Sequence, residues 1–415
     1  MLDKNNILIL CKVVDNFGDI GVVYRLARAL SDLRPSVKLT LVVSNLESFH
    51  KMAKEIDPKK PLQDFKYKNT VWKIIDWNLQ VEKKKGEREN FDFPLSTFNF
   101  QFILECFQCG RPDWLEKLLF SDDFTETVQI LNIDYLTAED YAEEFHLLKS
   151  GTRKANIKKR FFMPGFTEKT GGLIINDFLG ASAAKAAAGL SDVPLSLHCS
   201  PRFAHSATAS PHLQSLARGP YKIFFFAYED DCSSLVRGIA DFQERMRKTK
   251  PDFSVSLYLA EGKSQAPFEK SWESAGKPFV IKKLDFMQQE DFDSFILGMD
   301  FLFVRGEDSL ARAALSGLPF VWQAYKQDEN YQLVKVNALI DSMKKHFSDD
   351  EFQKLKKAWQ SYNDYEQPTD EKAIADFLTS SGEEKNTGSF REFSERLHKN
   401  GNLASHLLSF IDGLD

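Results

Sequence analysis

Two carboxylic acids lie in a glycine-bearing loop close to the start of the chain. Asp15 and Asp19 are four residues apart, with Gly18 between them and Gly21 behind them. Glycine lets the backbone approach a ligand closely, and a helix that begins here offers free N–H groups at its N-terminus. One acid is a candidate general base, and the other could orient it. The alternative for either acid alone is a helix N-cap.

An asparagine stands where a dinucleotide-binding loop would have its first glycine. The fingerprint G-x-G-x-x-G needs three glycines, and this loop has Asn16 at the first position, followed by Gly18 and Gly21. The loop therefore gives little support to NAD binding.

A second polar cluster follows a buried apolar run and reads Arg-Gly-Glu-Asp-Ser. Gly306 permits a close approach, and the N–H groups of Asp308 and Ser309 would point toward a phosphate. The Ser309 hydroxyl could add a hydrogen bond, and Arg305 could neutralise a leaving diphosphate. A diphosphate repels a carboxylate, so Glu307 is better suited to sugar hydroxyls or to the acceptor. The alternative is that Asp308 or Ser309 is only an N-cap and Glu307 a first-turn acid.

Short apolar runs predict the elements that position these residues. Runs bounded by polar residues indicate buried strands, and apolar residues at helical spacing, as after Gly21, indicate amphipathic helices. Strand, glycine loop, helix and strand in succession open a doubly wound α/β domain. The predicted strands cover residues 7–14, 39–43, 71–75, 102–106, 127–133, 161–163, 222–226, 254–259, 279–281, 301–304 and 320–322. Later predicted helices cover residues 233–247, 291–299, 310–315 and most of the tail from 350 onward.

A stretch rich in Ser, Pro, His and Ala separates two such series. It covers about residues 190–219 and predicts a linker between domains, the alternative being a long surface loop within one domain. Two series joined by a linker predict two Rossmann-like domains that face each other, with a ligand in the cleft. Acids on one wall and a phosphate-binding helix on the other suit the transfer of a group from a nucleotide diphosphate. They do not identify that group.

Charge and cysteine content narrow the class of protein. The 415 residues carry a net charge of −6, which argues against a nucleic-acid partner because nucleic acid selects basic surfaces. An odd, sparse set of five cysteines indicates a reducing compartment. Cys106 and Cys109 form a lone C-x-x-C without the second pair of a zinc site, so we expect two partly buried thiols. No apolar run suits a signal peptide or a bilayer span, which predicts a cytoplasmic protein without membrane attachment.

Four motifs resemble those of one family, the elongation factor P arginine rhamnosyltransferases, or EarP family. They are residues 11–21 continued through 25–28, residues 164–167 with 170–172, residues 305–309 with 312–313, and residues 319–323. The motifs occur in the family's order and span nearly the whole chain.

The resemblance implies a GT-B fold, in which two Rossmann-like domains face a central cleft. Residues 1–190 would form an N-terminal acceptor-side domain and residues 191–219 the linker. Residues 220–389 would form the nucleotide-sugar domain, and residues 390–415 a C-terminal helix that crosses back to the first domain.

The resemblance also implies an activity and its partners. It is the inverting transfer of L-rhamnose from dTDP-β-L-rhamnose to an arginine side chain of translation elongation factor P, which then helps ribosomes stalled at polyproline. No cofactor or metal is expected beside this co-substrate. The alternatives are a GT-B enzyme with another nucleotide sugar or acceptor, and a non-catalytic nucleotide-binding protein.

The site residues that the resemblance implies fall into two groups. The catalytic residues would be Asp19 as general base, Asp15 as its partner, and Glu307. The donor-binding residues would be Asn16, Phe17, Gly18, Phe226, Tyr228, Gln289, Arg305, Glu307, Asp308 and Ser309, with Phe226 and Tyr228 as an F-x-Y element that lines the nucleotide pocket.

Overall fold

The structure is a computed structural model that describes residues 3–14, 17–79, 100–175, 219–382 and 387–414. The predicted linker 191–219 lies outside these ranges except for Gly219, and so do the candidate site residues Asp15 and Asn16.

The first sheet has eight strands in the order β3-β4-β2-β1-β5-β6-β8-β7. The inner strands are parallel, and β3 and β7 pair antiparallel at the two edges. The strands are β1 (Asn6–Cys11), β2 (Lys38–Val43), β3 (Leu62–Tyr67), β4 (Thr70–Asp76), β5 (Phe102–Cys106), β6 (Val128–Ile133), β7 (Lys149–Ser150) and β8 (Ile157–Phe162). The helices among them are α1 (Gly18–Leu33), α2 (Leu46–Met52), α3 (Asp113–Leu119) and α4 (Tyr141–Phe145).

The second sheet has five parallel strands in the order β11-β10-β9-β12-β13. They are β9 (Tyr221–Phe225), β10 (Val255–Leu259), β11 (Val280–Lys283), β12 (Phe301–Arg305) and β13 (Phe320–Gln323). The helices that follow are α5 (Ser233–Arg247), α6 (Gln265–Ser274), α7 (Gln289–Ile296), α8 (Gly306–Ser316), α9 (Gln332–Met343), α10 (Asp349–Asn363), α11 (Glu371–Ser381), α12 (Thr387–Asn400) and α13 (Leu403–Asp412), with 3-10 turns at Asp328–Asn330 and Lys344–His346.

The first strand is shorter than the apolar run that predicts it. The run continues to Val14, but β1 ends at Cys11. Beyond it the backbone leaves the sheet ladder: the N–H of Val13 donates to Ser44 Oγ, and the N–H of Val14 donates to a carboxylate oxygen of Asp19. The end of the strand is therefore set by side-chain acceptors from later elements, which hydrophobic periodicity does not report.

Each sheet has its own apolar core. One cluster surrounds the second sheet, and two others cover the opposite faces of the first sheet. Helix α1 follows β1 in the first domain, and helix α8 follows β12 in the second. These two helices, which begin within the two polar motifs, pack against each other across the domains. No helix in the described ranges combines the length and apolar character of a membrane span.

The tail differs from the single helix that the sequence predicts after residue 390. It contains two helices, α12 and α13, which are separated at Gly401 (φ +95°). Helix α12 packs on the second domain, where Ser394 Oγ donates to the carbonyl of Leu315 at 2.7 Å. Helix α13 packs into the core of the first sheet, and the N–H of Leu403 donates to the carbonyl of Leu173 at 2.8 Å. The chain therefore passes between the domains at the left-handed glycine.

We predict that Gly401→Ala lowers the free energy of unfolding by about 1–3 kcal/mol, because a Cβ is strained in this backbone conformation. The added carbon would also meet the ring of His406, whose Nε2 lies 2.5 Å from its position. Chemical denaturation measures the change. Gly388→Ala in α12 is the matched control, since no atom lies within 4 Å of its added Cβ. Equal stability of the two variants would contradict the prediction.

Candidate active site

Asp19 lies in the first turn of α1 and is only 3% exposed. One carboxylate oxygen accepts a hydrogen bond from the N–H of Val14 at 2.7 Å. The other accepts from the hydroxyl of Tyr135 at 3.3 Å. Phe17 occupies the N-cap position without a side-chain hydrogen bond to the helix, so Asp19 is not the N-cap. The carboxylate is instead held by hydrogen bonds from Val14 and Tyr135.

Tyr135 is a site residue that the sequence analysis missed. It follows β6, at the carboxyl end of the first sheet, and its ring stacks on Phe107 with centroids 4.6 Å apart. Burial raises the pKa of its hydroxyl, and the charges of Asp19 and Glu307 raise that pKa further. The hydroxyl therefore stays protonated and donates. The position of Tyr135 just beyond a predicted parallel strand was the available signal, because ligands bind at such strand ends.

Helix α8 begins where the second polar motif predicts a phosphate-binding turn. Arg305 is extended and stands before the helix, and Gly306 has φ +66°. A Cβ on Gly306 would lie 3.6 Å from the hydroxyl of Tyr228. The indole N–H of Trp322 donates to the Gly306 carbonyl at 3.1 Å and fixes the turn. The first N–H groups of a helix have no partner within it, so they can bind an anion here.

The structure brings Arg305 together with the predicted F-x-Y element. The guanidinium carbon lies 4.5 Å from the centroid of the Phe226 ring and 4.5 Å from that of Tyr228. The N–H of Tyr228 donates to the side-chain oxygen of Gln323 at 2.7 Å, which holds the residue in place. Two rings and a planar cation together form a surface on which a flat base could stack.

The side chains of Asp308 and Ser309 bind the protein itself. Asp308 accepts from Arg25 of α1 at 2.8 and 3.2 Å, and Ser309 Oγ donates to the carbonyl of Arg305. Burial raises the pKa of Asp308, but the charges of Arg25 and Arg312 outweigh it and hold the pKa below its usual value. If these two residues bind the nucleotide sugar, they would do so through their backbone N–H groups. Their predicted donor role stays a prediction.

Gln289, predicted to contact the donor, reaches the first domain instead. Its side-chain oxygen accepts from Arg28 at 2.6 Å, and its side-chain nitrogen donates to the carbonyl of Gly21 at 2.8 Å. Both ends of the amide are engaged with α1 and the residue is buried. A direct contact between Gln289 and the donor would require these bonds to change, and it too stays a prediction.

The N-terminal loop approaches the second domain through an aromatic contact. The ring of Phe17 lies 5.7 Å from that of Phe286, and Lys51 Nζ lies 5.1 Å from the Phe17 ring. Gly18 is the first residue of α1. The predicted donor residues Phe17 and Gly18 therefore lie at the domain interface. Nearby, a mostly apolar cavity of about 40 Å³ is lined by both domains, including Leu26 and Glu307.

The C-x-x-C pair is built from free thiols, as expected. Cys106 is buried and Cys109 partly buried. Burial raises the pKa of Cys106 well above its ordinary value and that of Cys109 to about 12, so both stay protonated. Across the described ranges, no group of three or more His, Cys, Asp or Glu side chains is arranged to hold a metal ion.

Comparison with known proteins identifies the family. Residues 7–412 match the family described as Elongation-Factor P (EF-P) rhamnosyltransferase EarP. The protein-arginine rhamnosyltransferase of Shewanella oneidensis is 30% identical over 348 residues, which cover 80% of this chain and 79% of the relative. The protein of the same description from Pseudomonas putida is 29% identical over 361 residues, 86% of each chain.

A solved structure described as the structural basis for EarP-mediated arginine glycosylation of translation elongation factor EF-P superposes with a TM-score of 0.53. The match covers 98% of this chain and 99% of the other at 20% identity, and it shows a shared fold. Two α/β units with parallel sheets facing a common cleft form the GT-B architecture that the motifs imply. The chain therefore belongs to the EarP family of elongation factor P rhamnosyltransferases, which are GT-B glycosyltransferases.

Proposed function

We propose that this protein transfers L-rhamnose from dTDP-β-L-rhamnose to an arginine side chain of translation elongation factor P, with inversion at the anomeric carbon. The relatives' name supplies the sugar and the acceptor side chain, and the matched solved structure concerns EF-P. The observation that carries the proposal is the buried carboxylate of Asp19, held by Val14 and Tyr135 on the helix that packs against α8. The product factor would then act on ribosomes stalled at polyproline.

Arginine is a poor nucleophile because its guanidinium has a pKa above about 12 and a delocalised charge. A carboxylate that accepts one guanidinium N–H localises the charge and takes the proton as the new bond forms. The nitrogen lone pair forms the bond to the anomeric carbon, and the bond from that carbon to the diphosphate oxygen breaks. The electron pair leaves with dTDP, and the proton passes to Asp19.

Tyr135 and Glu307 support this step from two sides. The hydroxyl of Tyr135 keeps one oxygen of Asp19 oriented and, with its raised pKa, remains a donor throughout the neutral range. Glu307 lies in the first turn of α8, on the opposite wall. Its charge suits a cationic acceptor or the sugar hydroxyls. The acceptor guanidinium would thus approach between two carboxylates that belong to different domains.

The leaving diphosphate would be bound by the start of α8. The free N–H groups and the dipole of the helix stabilise negative charge as it develops. Arg305 stands beside this turn and offers a guanidinium for the same charge, while Phe226 and Tyr228 offer their rings to the base. We propose that this arrangement serves without a metal ion, and that the reaction takes place in the cytoplasm.

We predict that this protein, mixed with unmodified elongation factor P and dTDP-L-rhamnose in EDTA, adds the mass of one deoxyhexose to the factor. Intact-mass spectrometry measures the product. Asp19→Asn keeps the size of the side chain but removes its basicity, so no mass gain is expected. If folded wild-type protein produces no mass gain, the assignment of this donor and this acceptor is wrong. Other nucleotide sugars would then be tested for binding.

We predict that Tyr135→Phe lowers kcat about tenfold, because a hydrogen bond to a charged group contributes about 1.5–3 kcal/mol. Stability should change little, since the ring and its stacking on Phe107 remain. Tyr141→Phe is a matched control: Tyr141 and Tyr135 are both 39% exposed, and the side chain of Tyr141 forms a hydrogen bond with Thr137. Initial rates of rhamnosylation measure kcat for both variants. Equal kcat values would contradict the role of Tyr135.

We predict that Tyr228→Ala raises the KM for the donor about tenfold and leaves the KM for the acceptor unchanged. Stacking of a base on an aromatic ring contributes about 1–3 kcal/mol. Tyr228→Phe keeps the ring over Arg305 and should retain most of the donor affinity. If both variants bind dTDP as the wild type does, in calorimetric titration, the rings do not form the base site.

A further inference from the structure

Arg25 is buried between the two domains with an exposed fraction of 0%. It lies on α1 of the first domain and binds two carboxylates of the second. Its Nη1 donates to Asp293 Oδ2 at 2.6 Å and its Nη2 to Asp293 Oδ1 at 3.1 Å. Its Nε and Nη2 donate to the two oxygens of Asp308 at 2.8 and 3.2 Å. One planar guanidinium thus makes paired hydrogen bonds with an acid on α7 and an acid on α8.

A second buried arginine completes the cluster. Arg312 is 1% exposed, donates to the carbonyl of Ile174 in the first domain, and has its Nε 3.9 Å from Asp308. Two cations and two anions are therefore clustered at the domain interface, where Arg25, Arg312 and Asp293 are buried and Asp308 is partly exposed. Burial lowers the pKa of Arg25, but the charges of Asp308 and Asp293 outweigh it and raise that pKa above its ordinary value.

The next turn of α1 makes further polar contacts with the second domain. Arg28 lies three residues after Arg25 and forms an ion pair with Glu290 and a hydrogen bond with Gln289. Gln289 also donates to the carbonyl of Gly21. The two arginines of the Arg-Leu-Ala-Arg stretch, to which the sequence analysis assigns no role, thus both serve the domain interface.

The ion pairs of Arg25 connect the two domains beside the candidate active site. Asp19 and Arg25 lie on the same helix, six residues and therefore about 9 Å apart along its axis. Asp308, which Arg25 binds, directly follows Glu307 at the start of α8. Because both helices are stiff, the ion pair fixes how far the carboxylate of Asp19 lies from the diphosphate-binding turn. Neither Arg25 nor Asp308 needs to touch the sugar or the acceptor for this effect.

We propose that Arg25 is a positioning residue of the transfer reaction. Through Asp308 and Asp293 it holds the start of α8 against the helix of Asp19, and so it sets the separation between base and leaving group. The proposal rests on the site assigned under the proposed function. An inverting displacement needs the attacking nitrogen, the anomeric carbon and the leaving oxygen nearly in line, so the base that holds this nitrogen must lie at the right distance from the leaving group. A displacement of about 1 Å can lower the rate about 100-fold.

A purely structural role is the competing explanation, because removing one partner of a buried ion pair leaves a charge uncompensated and destabilises the fold. A double variant distinguishes the positioning role from the purely structural role. Arg25→Met removes one cation from this cluster of two arginines and two aspartates, whereas Arg25→Met with Asp293→Asn restores one cation against one anion. Charge balance returns in the double variant, but the link from α1 to α8 does not.

The experiment measures kcat, KM, thermal unfolding and the radius of gyration by X-ray scattering on the full chain. Arg25→Met should lower kcat about 100-fold with the acceptor KM near the wild-type value, and it should increase the radius of gyration. The double variant should regain the melting temperature but neither the kcat nor the compact radius. Arg34→Met is the control, because Arg34 at the end of α1 pairs with Asp412 of α13. It should leave kcat and radius unchanged.

A double variant with wild-type kcat would overturn the proposal, since charge balance alone would then explain Arg25. If Arg25→Met does not fold, Arg25→Lys replaces it: one ammonium cannot pair with both carboxylates, so a folded protein with kcat lowered about tenfold is expected. Wild-type kcat in that variant would equally refute the proposal. If wild-type protein transfers no rhamnose, the proposed function fails, while scattering still tests whether Arg25 holds the domains together.

Discussion

The guanidinium of Arg25, enclosed by the carboxylates of Asp293 and Asp308, is the interaction on which the rest of the site depends. A buried charge is tolerated only when its partners are close and well oriented, and here both partners come from the opposite domain. The second domain therefore shields this face of α1 from water. Asp19 lies on the helix that carries Arg25, and Gly306 begins the helix that carries Asp308, so this contact joins the two helices of the candidate site.

The candidate site and the domain interface share the same short segments. In the motif at residues 305–309, Arg305 reaches the aromatic rings, while Asp308 reaches Arg25. In the helix that follows the first loop, Asp19 faces the cleft and Arg25 faces the other domain. A residue type that suits a ligand, such as an acid beside a glycine, can equally be needed for the partner domain. A motif predicted to bind a ligand can therefore also contain charges whose side chains bind the other domain.

Local periodicity was enough to predict most of the parallel strands and the helices α1, α5 and α8. It did not predict the antiparallel edge strands β3 and β7, which are largely exposed and carry mixed polar residues. The motifs predicted that Asp19 and Glu307 lie in the first turns of the helices that follow β1 and β12, with Arg305 directly before the second helix. They could not show that Gln289 and Asp308 bind Arg28 and Arg25, because these pairs are separated by 261 and 283 residues. Tyr135 was missed because one exposed aromatic after a strand is common.

The passage of the chain at Gly401 has a consequence for biosynthesis. Leu403, Leu407 and Ile411 of α13 are core residues of the first sheet, although they are translated after the whole second domain. The first domain is thus discontinuous in sequence, and its core stays open on the α1 side while the ribosome makes the next two hundred or so residues. The apolar surface that α13 covers therefore stays exposed in the nascent chain until α13 has been made. The first domain can complete its core only at the end of translation.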